Sequence, residues 1–207
     1  MSVNKEALIE YWTINGILKD KKVIAAFEKT GREKFVLPEY IEDAYLDEPL
    51  PLVAGQTISQ PTTVAIMTDA LELKPGHKVL EIGSGSGYQA AIISEIVGAK
   101  GKVFTIERIS ALAKFAKNNL KSYKNVSVIH ADGTKGYSKE MPYDRIIVTA
   151  AAANLPAQIF DCLKDRGVMV IPIEDHLFRI RKLGKKAAME DLGLFAFVPL
   201  IPGAIEF

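Results

Sequence analysis

The residues best suited by type and spacing to do chemistry lie in one short run, Val79-Leu-Glu-Ile-Gly83-Ser-Gly85-Ser-Gly87-Tyr-Gln-Ala-Ala91. An apolar, strand-like segment runs into three glycines on alternate positions and then into a helical pattern. Glycines at a strand-to-helix turn let a ligand approach the main chain closely. In a doubly wound sheet, that turn is where nucleotides bind. Two ligand classes compete for such a loop. A dinucleotide fingerprint places its third glycine three positions after the second. Counted from Gly83 and Gly85 that position is Tyr88, and counted from Gly85 and Gly87 it is Ala90, an accepted variant. Spacing alone therefore leaves a nicotinamide enzyme open, and a purely structural tight turn is a third reading. The carboxylate of Glu81 tips the balance. A pyrophosphate gains from a helix N-terminus and from cations, not from an adjacent carboxylate. A ligand bearing ammonium and sulfonium charges gains from one.

Two further acids follow at the ends of strand-like runs. Glu107 stands 20 positions after Gly87, where a carboxylate can accept two hydrogen bonds from a ribose diol. Asp132-Gly133 stands after the third strand, where the carboxylate can accept from an adenine amino group. The plainer readings are a strand-end charge and an Asp-Gly turn. Val148-Thr-Ala-Ala-Ala152 leaves the fourth strand with small side chains only, which leaves room for a reactive group. The Glu-x-Gly-x-Gly-x-Gly pattern resembles the first motif of the class I S-adenosylmethionine-dependent methyltransferases.

The resemblance narrows when the rest of the chain is included. Phe35-Val-Leu-Pro38, Ala44-Tyr-Leu-Asp47, Gly55-Gln-Thr-Ile-Ser59-Gln-Pro61, Pro142-Tyr-Asp-Arg-Ile-Ile-Val-Thr-Ala-Ala151 and Phe197-Val-Pro-Leu200 are all similar to segments of the protein-L-isoaspartate (D-aspartate) O-methyltransferases. The Thr-Ile-Ser-Gln-Pro stretch is the most specific of them. The resemblance implies methyl transfer from S-adenosyl-L-methionine to the free α-carboxylate of an L-isoaspartyl residue, with S-adenosyl-L-homocysteine as product and no metal. It implies that Ser59 is the active-site hydroxyl. It places the methionine end of the donor at Glu81, Gly83, Ser84, Gly85 and Gly87, with Ile58 and Arg108 also at the donor. It puts the ribose at Glu107, the adenine at Asp132 and Gly133, and the peptide at Ser59, Val198, Pro199 and Leu200. The chain departs from the family pattern at Ala196, where bacterial members often carry Arg, and at Ile173-Glu174. Two rival readings stand beside this one. They are a methyltransferase acting on RNA or a small molecule, and a donor-binding module without turnover.

Positioning these residues requires an alternating framework, and the sequence carries one. Lys78–Ile82, Lys102–Ile106, Val126–His130, Arg145–Val148 and Val168–Ile171 read as strands. Between them, Tyr88–Val97, Ser110–Ser122 and Leu155–Lys164 read as helices. The expected fold is α/β: a doubly wound, mostly parallel, Rossmann-like sheet with helices on both faces. Two runs without an intervening helix, His176–Leu183 and Leu192–Val198, predict a C-terminal antiparallel hairpin. Residues 1–58, with helices over 4–18 and after Asp20 and breakers at Pro38, Pro49, Pro51 and Gly55, read as a helical and loop-rich extension. Residues 59–207 read as the methyltransferase domain, with a helix starting at Pro61.

Composition limits the partners. Lys and Arg total 26 against 25 Asp and Glu, a formal charge of +1, so the chain lacks the broad basic footprint of a nucleic-acid binder. The run Arg179, Arg181, Lys182, Lys185 and Lys186 reads as a solvated hairpin edge. Cys162 is the single cysteine, which excludes an internal disulfide, and it reads as a buried thiol. His77, His130 and His176 are the three histidines, and none falls where a general base is expected. The polar run from Met1 to Glu10 is not a signal peptide, and no apolar run reaches the roughly 20 residues of a membrane helix. The expectation is a cytoplasmic monomer that takes isoaspartyl proteins and peptides as substrates and has no nucleic-acid or membrane partner.

Overall fold

The computed structural model describes residues 4–206, so the expectations for residues 1–3 and 207 lie outside the described residues. The chain opens with α1 (Lys5–Ile14) and α2 (Lys21–Lys29), capped by the side chains of Asn4 and Asp20. The predicted first helix stops early, before Gly16, whose φ of 66° no helix accommodates. Trp12 and Phe27 meet edge to face at 5.1 Å, and Phe35 packs on Tyr88 at 5.5 Å. Through these rings the first two helices share one core with the helix that follows the glycine loop.

The segment after α2 looks irregular in sequence but holds a small antiparallel pair, β1 (Leu50–Pro51) and β2 (Thr57–Ile58), with Leu50 opposite Ile58. Helix α3 (Pro61–Ala70) begins two residues after Ser59. Then come β3 (Lys78–Ile82), α4 (Tyr88–Val97), β4 (Lys102–Glu107), α5 (Ser110–Asn119), β5 (Val126–His130) and β6 (Tyr143–Val148). The chain closes with α6 (Ala157–Asp161), β7 (Leu163–Ile173), β8 (His176–Leu183) and β9 (Lys186–Leu194).

Seven strands form one sheet in the order β5-β4-β3-β6-β7-β8-β9. The first five are parallel, and β8 and β9 are antiparallel to their neighbours. The chain runs outward from β3 in one direction, then returns to lay β6 on its other side. The gap between the carboxyl ends of β3 and β6 is therefore the switch point of a doubly wound sheet. Strands covered on both faces should be near-continuous apolar runs. Val79, Leu80 and Ile82 in β3 and Ile146, Ile147 and Val148 in β6 are all buried.

Two boundaries differ from the sequence expectation. The predicted helix over Leu155–Lys164 shrinks to five residues, because Leu163 joins the sheet opposite Tyr143. The Lys182 ammonium donates to the carbonyls of Phe160, Asp161 and Leu163, which satisfies the helix end and lets the chain leave it. The second hairpin strand is β9 rather than Leu192–Val198. The turn at Gly184, with φ of 62°, starts the return strand at Lys186. Residues after Leu194 then leave the sheet. The two arginines of the hairpin also find partners: Arg179 pairs with Glu190 and Glu72, and Arg181 with Glu72. Cys162 is buried and its thiol donates to the Gln158 carbonyl.

Candidate active site

The switch point opens into a cavity of about 880 Å³. Its floor is the glycine loop. Gly83, Gly85 and Gly87 have φ of 96°, 51° and 88°, values that side chains rarely adopt. A Cβ on Gly83 would collide with the hydroxyl oxygen of Thr149, which closes the loop by donating to the Ile82 and Gly83 carbonyls at 3.1 and 2.9 Å. Gly133 is held to glycine from another side, since a Cβ there would lie 2.6 Å from Ile82 Cγ2.

Glu81 lies beneath this loop with no solvent exposure, and neither carboxylate oxygen has a hydrogen-bond partner among the described residues. A buried, unbonded carboxylate is costly. Burial pushes the group up to about 8; the neighbouring Thr105 hydroxyl opposes the shift and the Glu107 charge adds to it. Glu107 is also buried but fully engaged. Its Oε2 accepts from Gly85 N and its Oε1 from Ile109 N, each at 3.0 Å. It pins the loop to the end of β4, and each oxygen keeps a second lone pair. The Ser84 hydroxyl shares a hydrogen bond with the Thr105 hydroxyl at 2.6 Å, which ties the loop to β4.

Ser59 lines the opposite wall. It could have been the N-cap of α3, but the cap is Gln60, which makes no side-chain capping bond. Asp47 takes the capping role from a distance. Its Oδ1 accepts from Thr62 N at 2.8 Å and its Oδ2 from the Thr62 hydroxyl at 2.7 Å. The Ser59 carbonyl accepts from Arg32 at 2.7 Å. Val198, Pro199 and Leu200 close the third side. They are tied to the end of β6 by Ala151 N to the Val198 carbonyl at 2.8 Å and Leu200 N to the Ala151 carbonyl at 2.7 Å.

The structure thus brings Ile58, Ser59, Glu81, Gly83, Ser84 and Gly85 to one cavity with Glu107, Arg108, Gly133 and the Val198–Leu200 segment. Gly87 and Asp132 are not on its wall. Gly87 serves as the αL residue before α4. Asp132 caps the turn after β5, with Oδ1 accepting from Thr134 N and Oγ1. Burial pulls its carboxyl upward, but the bonds from Thr134 and the Gly203 main chain outweigh it and hold the group below its ordinary range. None of the three histidines is on the wall. His77 accepts from Lys74 N in a turn, and His176 is exposed and bonded to Asp191. Sequence reasoning missed Thr149 as the loop's latch and Arg32 as a partner of Ser59. The first sat in a run read only as small, and the second in a segment read as irregular.

The model of the protein-L-isoaspartate(D-aspartate) O-methyltransferase family matches residues 3–204. The chain belongs to this family. Among its relatives, the protein-L-isoaspartate O-methyltransferase of Ignicoccus hospitalis is 48% identical over 97% of this chain and 99% of its own. The Pyrococcus horikoshii enzyme is 47% identical over 93% of this chain and 90% of its own. Among solved structures, the Plasmodium falciparum beta-aspartate methyltransferase, crystallised with S-adenosyl-L-homocysteine, superposes with a TM-score of 0.83 at 28% identity. The match covers 96% of this chain and 98% of that one. A second solved protein-L-isoaspartate O-methyltransferase gives a TM-score of 0.88 at 28% identity, covering 97% of this chain and 67% of that one. Family membership therefore extends across the glycine loop, the Ser59 wall and the Val198–Leu200 segment alike.

Proposed function

We propose that this chain transfers a methyl group from S-adenosyl-L-methionine to the free α-carboxylate of L-isoaspartyl residues in damaged proteins and peptides. The resulting ester then collapses to a succinimide that opens in part to normal aspartate. The observation that carries the reading is Glu81, a buried carboxyl with two unbonded oxygens at the glycine loop, in a chain of this family. That group fits a cationic donor and disfavours a pyrophosphate. Bound S-adenosyl-L-methionine supplies an activated methyl group on a sulfonium. Glu81 and the Gly83–Gly85 main chain hold its methionine end, Glu107 its ribose, and Gly133 its adenine, with Asp132 holding the turn that carries Gly133 and with Ile58 and Arg108 alongside. Residues 59–207 supply all of this machinery but Ile58, and residues 1–58 form an extension whose described part packs against it.

On the acceptor side the chain has little proton chemistry to do. An α-carboxylate with a reference pKa near 3.5 is ionised at neutral pH and needs no base, which suits a cavity wall without histidine. What remains is orientation, so that the carboxylate oxygen faces the methyl carbon in line with the departing sulfur. The Ser59 hydroxyl orients that oxygen without neutralising it, and Val198, Pro199 and Leu200 hold the peptide.

Replacing Ser59 with Ala tests the assignment. Loss of one positioning hydrogen bond should cost about 1–3 kcal/mol in the transition state, roughly 10- to 100-fold in rate. Melting temperature and S-adenosyl-L-homocysteine affinity should stay near wild type, since the serine caps nothing. A variant with wild-type turnover on an isoaspartyl peptide would remove Ser59 from the reaction.

A further inference from the structure

We infer that Arg32 is the positioning residue for Ser59: a buried guanidinium whose task is to fix the acceptor-side loop against the start of α4. The inference rests on the reading of Ser59 given above. Arg32 has no solvent exposure, in a protein where arginine normally reaches water. Its Nε donates to the Ala44 carbonyl at 2.7 Å, one terminal nitrogen to the Ser59 carbonyl at 2.7 Å, and the other to the Glu48 carbonyl at 3.4 Å. All three carbonyls lie in loops, outside any helix or strand. The guanidinium face lies over the Tyr88 ring, 5.6 Å from its centre. Tyr88 is the first residue of α4, directly after Gly87. One planar group therefore touches the Ser59 loop on the acceptor side and the helix start on the donor side.

Burying a cation with only neutral partners is costly. Burial pulls Arg32 down to about 10, yet it stays charged at neutral pH. A neutral side chain could fill the space but could not hold three carbonyls in one plane, which is the property of the guanidinium fork. The main chain of Arg32 is itself fixed, its N–H donating to the Tyr45 hydroxyl at 3.1 Å while that hydroxyl donates to Glu33.

The test is a double-mutant cycle on the full chain. It measures methyl transfer to an isoaspartyl peptide, S-adenosyl-L-homocysteine affinity and melting temperature. Arg32→Lys keeps the charge but loses the fork, and kcat should fall roughly 10-fold. Affinity for S-adenosyl-L-homocysteine should stay within about twofold. In the Ser59→Ala background the same change should cost nothing further in rate, because the residue it positions is gone. Tyr45→Phe removes only the hydroxyl bonded to the Arg32 main chain and gives a second, milder variant. Its expected loss is about two- to fivefold, again absent without Ser59. A full loss that persists in the Ser59→Ala background overturns the inference while leaving Ser59's own role intact. So does a lowered melting temperature with unchanged kcat. Wild-type turnover by Ser59→Ala alone removes both.

Discussion

A carboxyl group buried at the end of β3 with both oxygens unbonded keeps its proton until a cation arrives. Glu81 is held up to about 8 by burial, so the ligand-free protein carries it mostly neutral at pH 7, whereas a bound ammonium favours the ionised form. The sign follows. Folded Glu81 binds its proton more tightly than it would in the unfolded chain. Its contribution to ligand-free stability is therefore full at low pH and is lost as pH rises from the ordinary carboxylate range through about 8. Ligand affinity moves the opposite way. Calorimetric titration with S-adenosyl-L-homocysteine should show affinity rising from pH 6 to 8, by up to about tenfold per unit, and Glu81→Gln should flatten the profile. A flat wild-type profile would contradict the assignment. Glu107→Ala is expected to weaken the same ligand by about 1.5–3 kcal/mol, the worth of a hydrogen bond to a charged group, since it removes both a ribose acceptor and the anchor of Gly85. Unchanged affinity would rule that out. These acids were legible in the sequence because their meaning is local: a carboxylate beside a glycine turn, another at the next strand end. Arg32 was not legible. Its role lies in carbonyls 12 to 27 residues away, and no spacing rule reports them.

At the scale of elements, periodicity located the parallel strands well because β3, β4 and β6 are covered on both faces and read as apolar runs. It failed where tertiary contacts decide. The β1–β2 pair is two residues long on each side and is set by turn residues Ala54 and Gly55, both at positive φ. Strand β9 is an exposed edge and carries no apolar alternation. The segment after β9 works as a strap rather than a strand. It pairs with Ala151 near Pro199, and farther on Ile205 N donates to the Arg108 carbonyl at 2.7 Å while Ser110 N donates to the Ile205 carbonyl at 3.0 Å. Arg108 Nε also donates to the Gly203 carbonyl at 3.0 Å. The strap thus bridges the ends of β6 and β4, the two strands that flank β3. Deleting the chain from Pro202 onward should release that end of the strap and speed S-adenosyl-L-homocysteine dissociation roughly tenfold, the equivalent of about 1.4 kcal/mol, with little change in melting temperature. Stopped-flow dissociation measures it, and an unchanged rate would show that the strap does not retain the ligand.

For the whole molecule, a near-neutral charge and a large, mostly uncharged cavity at the switch point favour a peptide acceptor over a polyanion. No helix among the described residues is long and apolar enough to cross a membrane, and no cluster of His, Cys, Asp and Glu among them could hold a metal. The fold class and the location of the cavity follow from strand order alone. The choice of acceptor does not, because it depends on where Ser59 and Val198–Leu200 stand relative to the donor loop. An isoaspartyl residue carries its free carboxylate directly on Cα, one methylene nearer the peptide backbone than normal aspartate. A site that works by orientation must separate the two. The most direct test is transfer of a labelled methyl group from S-adenosyl-L-methionine to isoaspartyl and aspartyl versions of one peptide, with transfer RNA as a third acceptor. The expected result is methylation of the isoaspartyl peptide with kcat/KM about 100-fold or more above its aspartyl twin, and none of the RNA. Equal rates on the two peptides, or label appearing only in the RNA, would contradict it.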